Sequence, residues 1–182
     1  MIIKDIHVDE SITLKVMAIN DAQLIFDAID NNRSHLRRWL PFVDKTKEVK
    51  DTLAFVKSIV DDVERRQEVF TIWYKNSFVG LIGLKEIDYL NRKVEIGYWL
   101  IGQVTGKGII TRSVEAIIKF CYHQLGMNRI QIKCGVGNIK SSAIPRRIGF
   151  TFEGIERAGE KHPLGYIDLE VFSLLRKEWI EF

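Results

Sequence analysis

Cysteine and proline are both scarce in this sequence. Its 182 residues include two cysteines, Cys121 and Cys134, which form no C-x-x-C pair, and three prolines. A disulfide framework is therefore not indicated, and a reduced, cytoplasmic protein is the simpler expectation. Repeats, low-complexity segments and linker-like stretches are also missing, so we predict a single domain over residues 1–182.

Long apolar runs and a strong charge imbalance are missing as well. No stretch approaches the ~20 apolar residues of a membrane helix, and residues 1–10 contain no signal-peptide core. Lys and Arg number 27 and Asp and Glu number 24, which gives a net charge of +3. We therefore expect neither a membrane nor direct nucleic-acid binding. The 46% hydrophobic content is typical of a globular domain.

The patterning predicts seven strands and five helices. Helices are expected after Asp21 and at residues 33–40, 50–66, 109–125 and 139–148, where apolar residues recur at three- and four-residue spacing. Strands are expected at residues 12–19, 69–74, 78–87, 93–101, 129–136, 150–156 and 167–175. This order favours a mixed sheet covered by helices.

The most informative segment is a strand, a glycine-containing turn and a helix start at residues 94–109. Gln103, Gly106 and Gly108 form Q-x-x-G-x-G, with Lys107 between the glycines. Free N–H groups at a helix N-terminus favour an anion such as a phosphate. The spacing fits neither the Walker A loop nor, with Thr111 in third place, the dinucleotide fingerprint. Glycines that serve turn geometry alone are an equal alternative at this point.

A second segment begins at Asn138, between a predicted strand and a predicted helix. Ser141 follows on the first helical turn, and Gly149-Phe150 ends the helix. Each residue also has an ordinary structural role, because Asn is a frequent N-cap and Gly a frequent C-cap.

Together, in this order, the two segments resemble the GNAT superfamily of N-acetyltransferases. Further similarity is to its RimJ/RimL-type branch of ribosomal-protein N-terminal acetyltransferases. It covers roughly residues 12 to 176. The motifs that carry it are I-G-Y-W-L at 96–100, G-K-G-I-I-T at 106–111, G-F-T-F-E-G at 149–154 and G-Y-I-D at 165–168.

The resemblance implies an α/β (α+β) GNAT fold. Its mixed, mostly antiparallel sheet would have about seven strands, and two splayed strands would hold the acyl-CoA. It implies acetyl-CoA as co-substrate, no metal, and transfer of the acetyl group to the N-terminal amine of a protein such as a ribosomal protein. A small-amine acceptor (amino acid, polyamine or aminoglycoside) and a non-catalytic acyl-CoA-binding module are the alternatives. Relatives often pair, so a homo-oligomer is also expected.

Carried over by motif, the cofactor-binding residues would lie on the strand end, the glycine loop, the following helix and the second segment. They are Trp99, Leu100, Ile101, Gln103, Gly106, Lys107, Gly108, Thr111, Arg112 and Asn138.

Direct attack of an amine on a thioester needs an uncharged amine, an oxyanion site and a proton donor for the thiolate. An α-amino group has a pKa roughly 2.5 units below that of a lysine, so one carboxylate can suffice as base. Glu160 is our predicted base, on a segment that matches the region thought to carry it in RimL-type enzymes. Ser141 is the predicted donor, since Pro145 stands where many members have a tyrosine. A solvated Glu160 and a helix-capping Ser141 are close alternatives.

Three other carboxylates stay open as the base: Glu95, Glu153 and Asp168. The run His35–Phe42 is interpreted first as a helix with an apolar anchor and second as an acceptor-side wall. The four histidines show no metal-ligand spacing, and both cysteines are interpreted as core residues.

Overall fold

A computed structural model describes residues 4–180. Eight strands form one sheet in the order β1-β2-β3-β4-β5-β6-β8-β7, and all neighbours are antiparallel except β5 and β6. The strands are β1 (Ile6–Asp9), β2 (Ile12–Val16), β3 (Glu68–Tyr74), β4 (Ser77–Asp88), β5 (Lys93–Leu100), β6 (Arg129–Gly135), β7 (Thr151–His162) and β8 (Gly165–Leu175). The helices are α1 (Ala22–Asp30), α2 (Arg33–Leu36), α3 (Val49–Val60), α4 (Ile109–His123) and α5 (Ile139–Ile148).

Two apolar cores lie on opposite faces of this sheet. Alternate strand residues such as Phe70 and Ile82 pack with the buried face of α4, while their neighbours Val69 and Leu81 pack with α1 and α3. Both faces of β4 are thus covered, which explains its nearly continuous apolar sequence. No helix within residues 4–180 is long and apolar enough to cross a bilayer.

The predicted mixed, mostly antiparallel sheet is confirmed, with one strand more than expected. The additional strand, β1, pairs with β2. The alternation of apolar and polar residues in β1 spans only four residues and includes His7, so the sequence gives little indication of a strand there. The predicted third helix ends at Val60 rather than residue 66, because Asp62 Oδ2 accepts from the amides of Arg66 (2.7 Å) and Gln67 (3.0 Å) and forms a turn.

The parallel pair β5–β6, the only one within residues 4–180, opens after three residues. Lys93–Glu95 pair with Arg129–Gln131. Beyond them β5 continues along β4 to Leu100, and β6 continues along β8 to Gly135. The two strands therefore diverge, as the resemblance implies, and leave a gap in the middle of the sheet.

Candidate active site

A cavity of about 1560 Å³ occupies this gap. The end of β5, the start of α4, one face of α5 and the segment 34–46 line it. Single-ligand pockets have volumes of roughly 300–1,000 Å³. The cavity is thus large enough for a cofactor and an acceptor side by side.

The glycine loop lies at the cavity where α4 begins. Gly106 and Gly108 have φ of 81° and 71°, a backbone conformation that favours glycine. The first α4 hydrogen bond runs from the Arg112 amide to the Gly108 carbonyl at 3.1 Å. The amides of the preceding turn are not used by the helix, so they suit an anionic diphosphate.

Residues at the end of β5 present their main chain to the gap. The Ile101 amide donates to the Val79 carbonyl at 2.9 Å, so the main-chain N–H and C=O groups of Ile101 and Trp99 face β4. By alternation, the N–H groups of Tyr98 and Leu100 point toward β6, beyond the last ladder pair. Edge amides of this kind can pair with an extended pantetheine arm or face a carbonyl oxygen.

Eight of the twelve predicted site residues line the cavity: Trp99, Leu100, Gly106, Gly108, Thr111, Asn138, Ser141 and Glu160. The other four lie in the loop (Gln103 and Lys107) or next to it (Ile101 and Arg112) but do not line the cavity. The Lys107 ammonium lies over the Tyr74 ring (5.9 Å), and Arg112 forms an ion pair with Asp9 (2.6 Å).

Asn138 and Ser141 lie together at the start of α5. Asn138 Oδ1 accepts from the Ser141 amide at 3.3 Å, so the N-cap role is confirmed. Ser141 Oγ lies 3.2 Å from Cys134 Sγ and donates to the Tyr98 hydroxyl at 3.4 Å. Cys134 is thus buried, as expected, but it also lines the cavity.

The candidate carboxylates separate into two groups. Glu153 and Asp168 lie outside the cavity. Arg129 donates to both oxygens of Glu153, at 2.6 and 2.5 Å. These hydrogen bonds lower the pKa of Glu153 to about 2. Asp168 accepts from the Ala158 amide at 2.8 Å.

Glu95 and Glu160 do line the cavity. Glu160 Oε2 lies 2.7 Å from Nε2 of the nearly buried His162. Glu95 is 14% exposed and lies 3.5 Å from Lys85 and 3.8 Å from Lys133. Burial raises the pKa of Glu95, although the two ammonium groups oppose that shift.

The segment 34–46 forms one wall of the cavity, and within it α2 ends at Leu36, whose side chain is buried in a hydrophobic core. The run His35–Phe42 is therefore a helix end with an apolar anchor that also lines the cavity; that it faces the acceptor stays a prediction. Asn32, just before this segment, accepts from the Gly102 amide at 3.1 Å. A side chain at Gly102 would meet the His35 ring at 3.4 Å, and one at Gly135 would meet the Trp39 ring at 3.2 Å. The wall therefore contacts the ends of both diverging strands.

Among the lining residues that the sequence did not predict are Tyr98 and Arg147. Arg147 donates to Thr111 Oγ1 at 3.1 Å and so connects α5 to α4. Its signal was available, because Lys140, Ile144 and Arg147 recur on one helical face. Tyr98 had no such signal, since it lies within an apolar strand. Over residues 4–180, no cluster of three or more His, Cys, Asp or Glu side chains could hold a metal ion.

Comparison with known proteins agrees with this geometry. The family described as "Acetyltransferase (GNAT) domain" matches residues 11–151. A Bacillus subtilis (strain 168) protein, YdaF, provisionally named a ribosomal N-acetyltransferase, is 36% identical over 94% of this chain and 95% of its own. The ribosomal-protein-serine acetyltransferase of Escherichia coli (strain K12) is 31% identical over 92% of this chain and 94% of its own.

A solved structure is similar as well. The microcin C7 self-immunity acetyltransferase MccE, in complex with acetyl-CoA and AMP, superposes with a TM-score of 0.87 at 29% identity, over 92% of this chain and 94% of that one. The diverging strands and the glycine loop at the start of α4 fit the acetyl-CoA that such enzymes use. The chain therefore belongs to the GNAT family of acetyltransferases.

Proposed function

We propose that this acetyltransferase transfers the acetyl group of acetyl-CoA to the N-terminal amine of a protein, and specifically of a ribosomal protein. The observation that carries the proposal is the similarity, over more than nine-tenths of the chain, to two proteins named for ribosomal acetylation. The cavity supports it, because its volume leaves room for a peptide end beside the cofactor.

The cofactor would be held mainly by main-chain groups. Amides around Gly106 and Gly108 would bind the diphosphate, with Thr111 at the same helix start and Lys107 and Arg112 beside it. Gln103 belongs to the turn that precedes the loop. These groups have the donors that phosphate oxygens require.

The pantetheine arm would lie in the gap between the strands. It would pair with the edge of Trp99-Leu100-Ile101 on one side and contact Asn138 on the other. The Leu100 amide would then donate to the thioester carbonyl oxygen as its charge develops.

Acetyl transfer would proceed by direct attack in a ternary complex. Glu160, paired with His162, would accept the proton of the attacking amine, and Ser141 would donate to the sulfur of the leaving thiolate. Glu95 is the second candidate for the base, because it also lines the cavity and burial raises its pKa.

The direct test is to incubate the protein with radiolabelled acetyl-CoA and ribosomal proteins, then locate the label by mass spectrometry of N-terminal peptides. We expect label on a chain terminus and none on lysine side chains. A terminus left unlabelled, beside a competent control acetyltransferase, would contradict the proposal.

A small-amine acceptor is the second candidate, favoured by the similarity to the spermidine N(1)-acetyltransferase of Escherichia coli (strain K12), which is 27% identical over 79% of this chain. Screening small amines by thiol release separates the two functions, since the protein acceptor predicts turnover only with polypeptide ends. A non-catalytic module would bind CoA in calorimetry without turnover on any acceptor.

A further inference from the structure

A phenol lies where the two strands separate. The Tyr98 hydroxyl, from β5, donates to the Ser141 carbonyl at 3.1 Å and accepts from Ser141 Oγ at 3.4 Å. Cys134 Sγ, from β6, lies 3.2 Å from the same Ser141 Oγ. All three residues line the cavity. Beyond the last ladder pair, this cluster thus connects β5, β6 and α5.

The three groups all remain protonated at neutral pH. Burial raises the pKa of Tyr98 above its ordinary value and raises that of Cys134 to about 11. An ordinary thiol has a pKa of about 8.5. Complete proton transfer from this cluster to a leaving thiolate is therefore uphill, whereas hydrogen-bond donation to the sulfur costs no ionisation.

We propose that Tyr98 is a positioning residue. Its hydroxyl holds the Ser141 carbonyl, so that Ser141 Oγ–H can turn from Tyr98 and hydrogen-bond the sulfur as coenzyme A leaves. The inference rests on the donor role of Ser141 given above. As the amine nitrogen bonds to the acetyl carbon, the C–S bond breaks and its electron pair stays on sulfur. The amine proton passes to the carboxylate base, and the thiolate takes its proton from solvent after release.

Helix α5, whose first turn Tyr98 contacts, contains a proline. Pro145 stands on that helix where many family members have a tyrosine. Here the Tyr98 hydroxyl reaches the start of α5 from β5, on the opposite side of the gap. It contacts Ser141 and leaves Ser141 as the group that faces the sulfur. The hydrogen bond from the Tyr98 hydroxyl to the Ser141 carbonyl fixes the first turn of α5, on which Ser141 lies.

A double-mutant cycle tests this coupling. We expect Tyr98→Phe to lower kcat about tenfold, the value of one hydrogen bond, while the KM for acetyl-CoA changes less than about twofold. If Tyr98 acts through Ser141, the Tyr98→Phe/Ser141→Ala double variant should be as slow as Ser141→Ala alone. Losses that multiply, or an unchanged kcat in Tyr98→Phe, would overturn the proposal.

Tyr122→Phe is the matched control. Tyr122 is also a buried phenol, and it donates to the Leu174 carbonyl at 2.8 Å in the core, away from the cavity. Both Phe variants should lose similar thermal stability, but only Tyr98→Phe should lose kcat. Equal losses of kcat in Tyr98→Phe and Tyr122→Phe would show that Tyr98 has only a structural role.

Thiol release with the best acceptor found, protein or small amine, is the readout, so the cycle does not depend on which acceptor is correct. If Ser141→Ala is slow and Tyr98→Phe is not, the positioning role alone fails. If Ser141→Ala keeps full kcat, the donor role fails together with the positioning role.

The native kcat should show no alkaline decline below about pH 10 from loss of an acid. A decline that Tyr98→Phe removes would instead indicate full proton transfer.

Discussion

The two ends of the cavity are built by different means. The loop end, residues 98–111 with the first turns of α5, includes the turn amides that precede α4, and it comes from one stretch of the chain, residues 98–144. The wall end, residues 34–46 with Glu160, presents side chains from segments more than 100 residues apart. The loop end therefore suits a ligand common to the whole family, and the wall end suits an acceptor that differs among members.

The largest expected effect belongs to the wall end. Glu160→Gln should lower kcat/KM for the acceptor by about 100-fold or more, since it removes the proposed base. Glu153→Gln is the matched control, because Glu153 pairs with Arg129 outside the cavity and should keep its activity. Steady-state kinetics of both variants is the measurement. If Glu95→Gln shows the large loss and Glu160→Gln does not, the base is Glu95.

A smaller effect is expected for the loop end. Gly108→Ala forces a side chain into positive φ and should weaken acetyl-CoA binding up to about tenfold. Gly126→Ala is the control, with a φ of 67° and equally open space around its Cβ, but at the far end of α4. Both variants should lose about 1 kcal/mol of stability. Calorimetry would contradict the loop assignment if both variants bind acetyl-CoA equally well.

Two adjacent arginines on α5 give a second test of whether acetyl-CoA binds at the loop end. Arg147 lines the cavity, whereas Arg146 pairs with Glu170 at 2.8 Å and stacks on Phe152 and Phe172. Arg147→Gln should weaken acetyl-CoA binding up to about fivefold and reduce its salt dependence. Arg146→Gln should change neither. Titrations at two salt concentrations check this, and equal effects would exclude a direct role for Arg147.

The smallest effect concerns stability outside the cavity. Glu153 has its pKa lowered from 4.5 to about 2 in the fold, so its pairing stabilises the protein above about pH 4.5 and is lost as the pH falls toward 2. Glu153→Gln should cost roughly 0.5–1 kcal/mol at pH 7, since the pair is partly exposed. Thermal unfolding should show that this difference shrinks between pH 4.5 and 2. A constant difference would assign the loss to packing.

The order of elements and the loop end could be predicted because their signals are local. The glycines at 106 and 108 and the N-cap Asn138 each act within one turn of the chain, so the linear sequence contains their geometry. The short strand β1 was missed because four residues with little alternation carry too weak a signal, and its pairing with β2 is what stabilises it.

By itself, the sequence determined the sheet class, the family and the position of the glycine loop at the start of α4. Only the tertiary structure decided which carboxylates face the cavity, that the segment 34–46 forms its wall, and that Tyr98 contacts Ser141. The physical reason is that these contacts join residues far apart in the chain. Their geometry depends on how far β5 and β6 diverge, which no periodicity within either strand records.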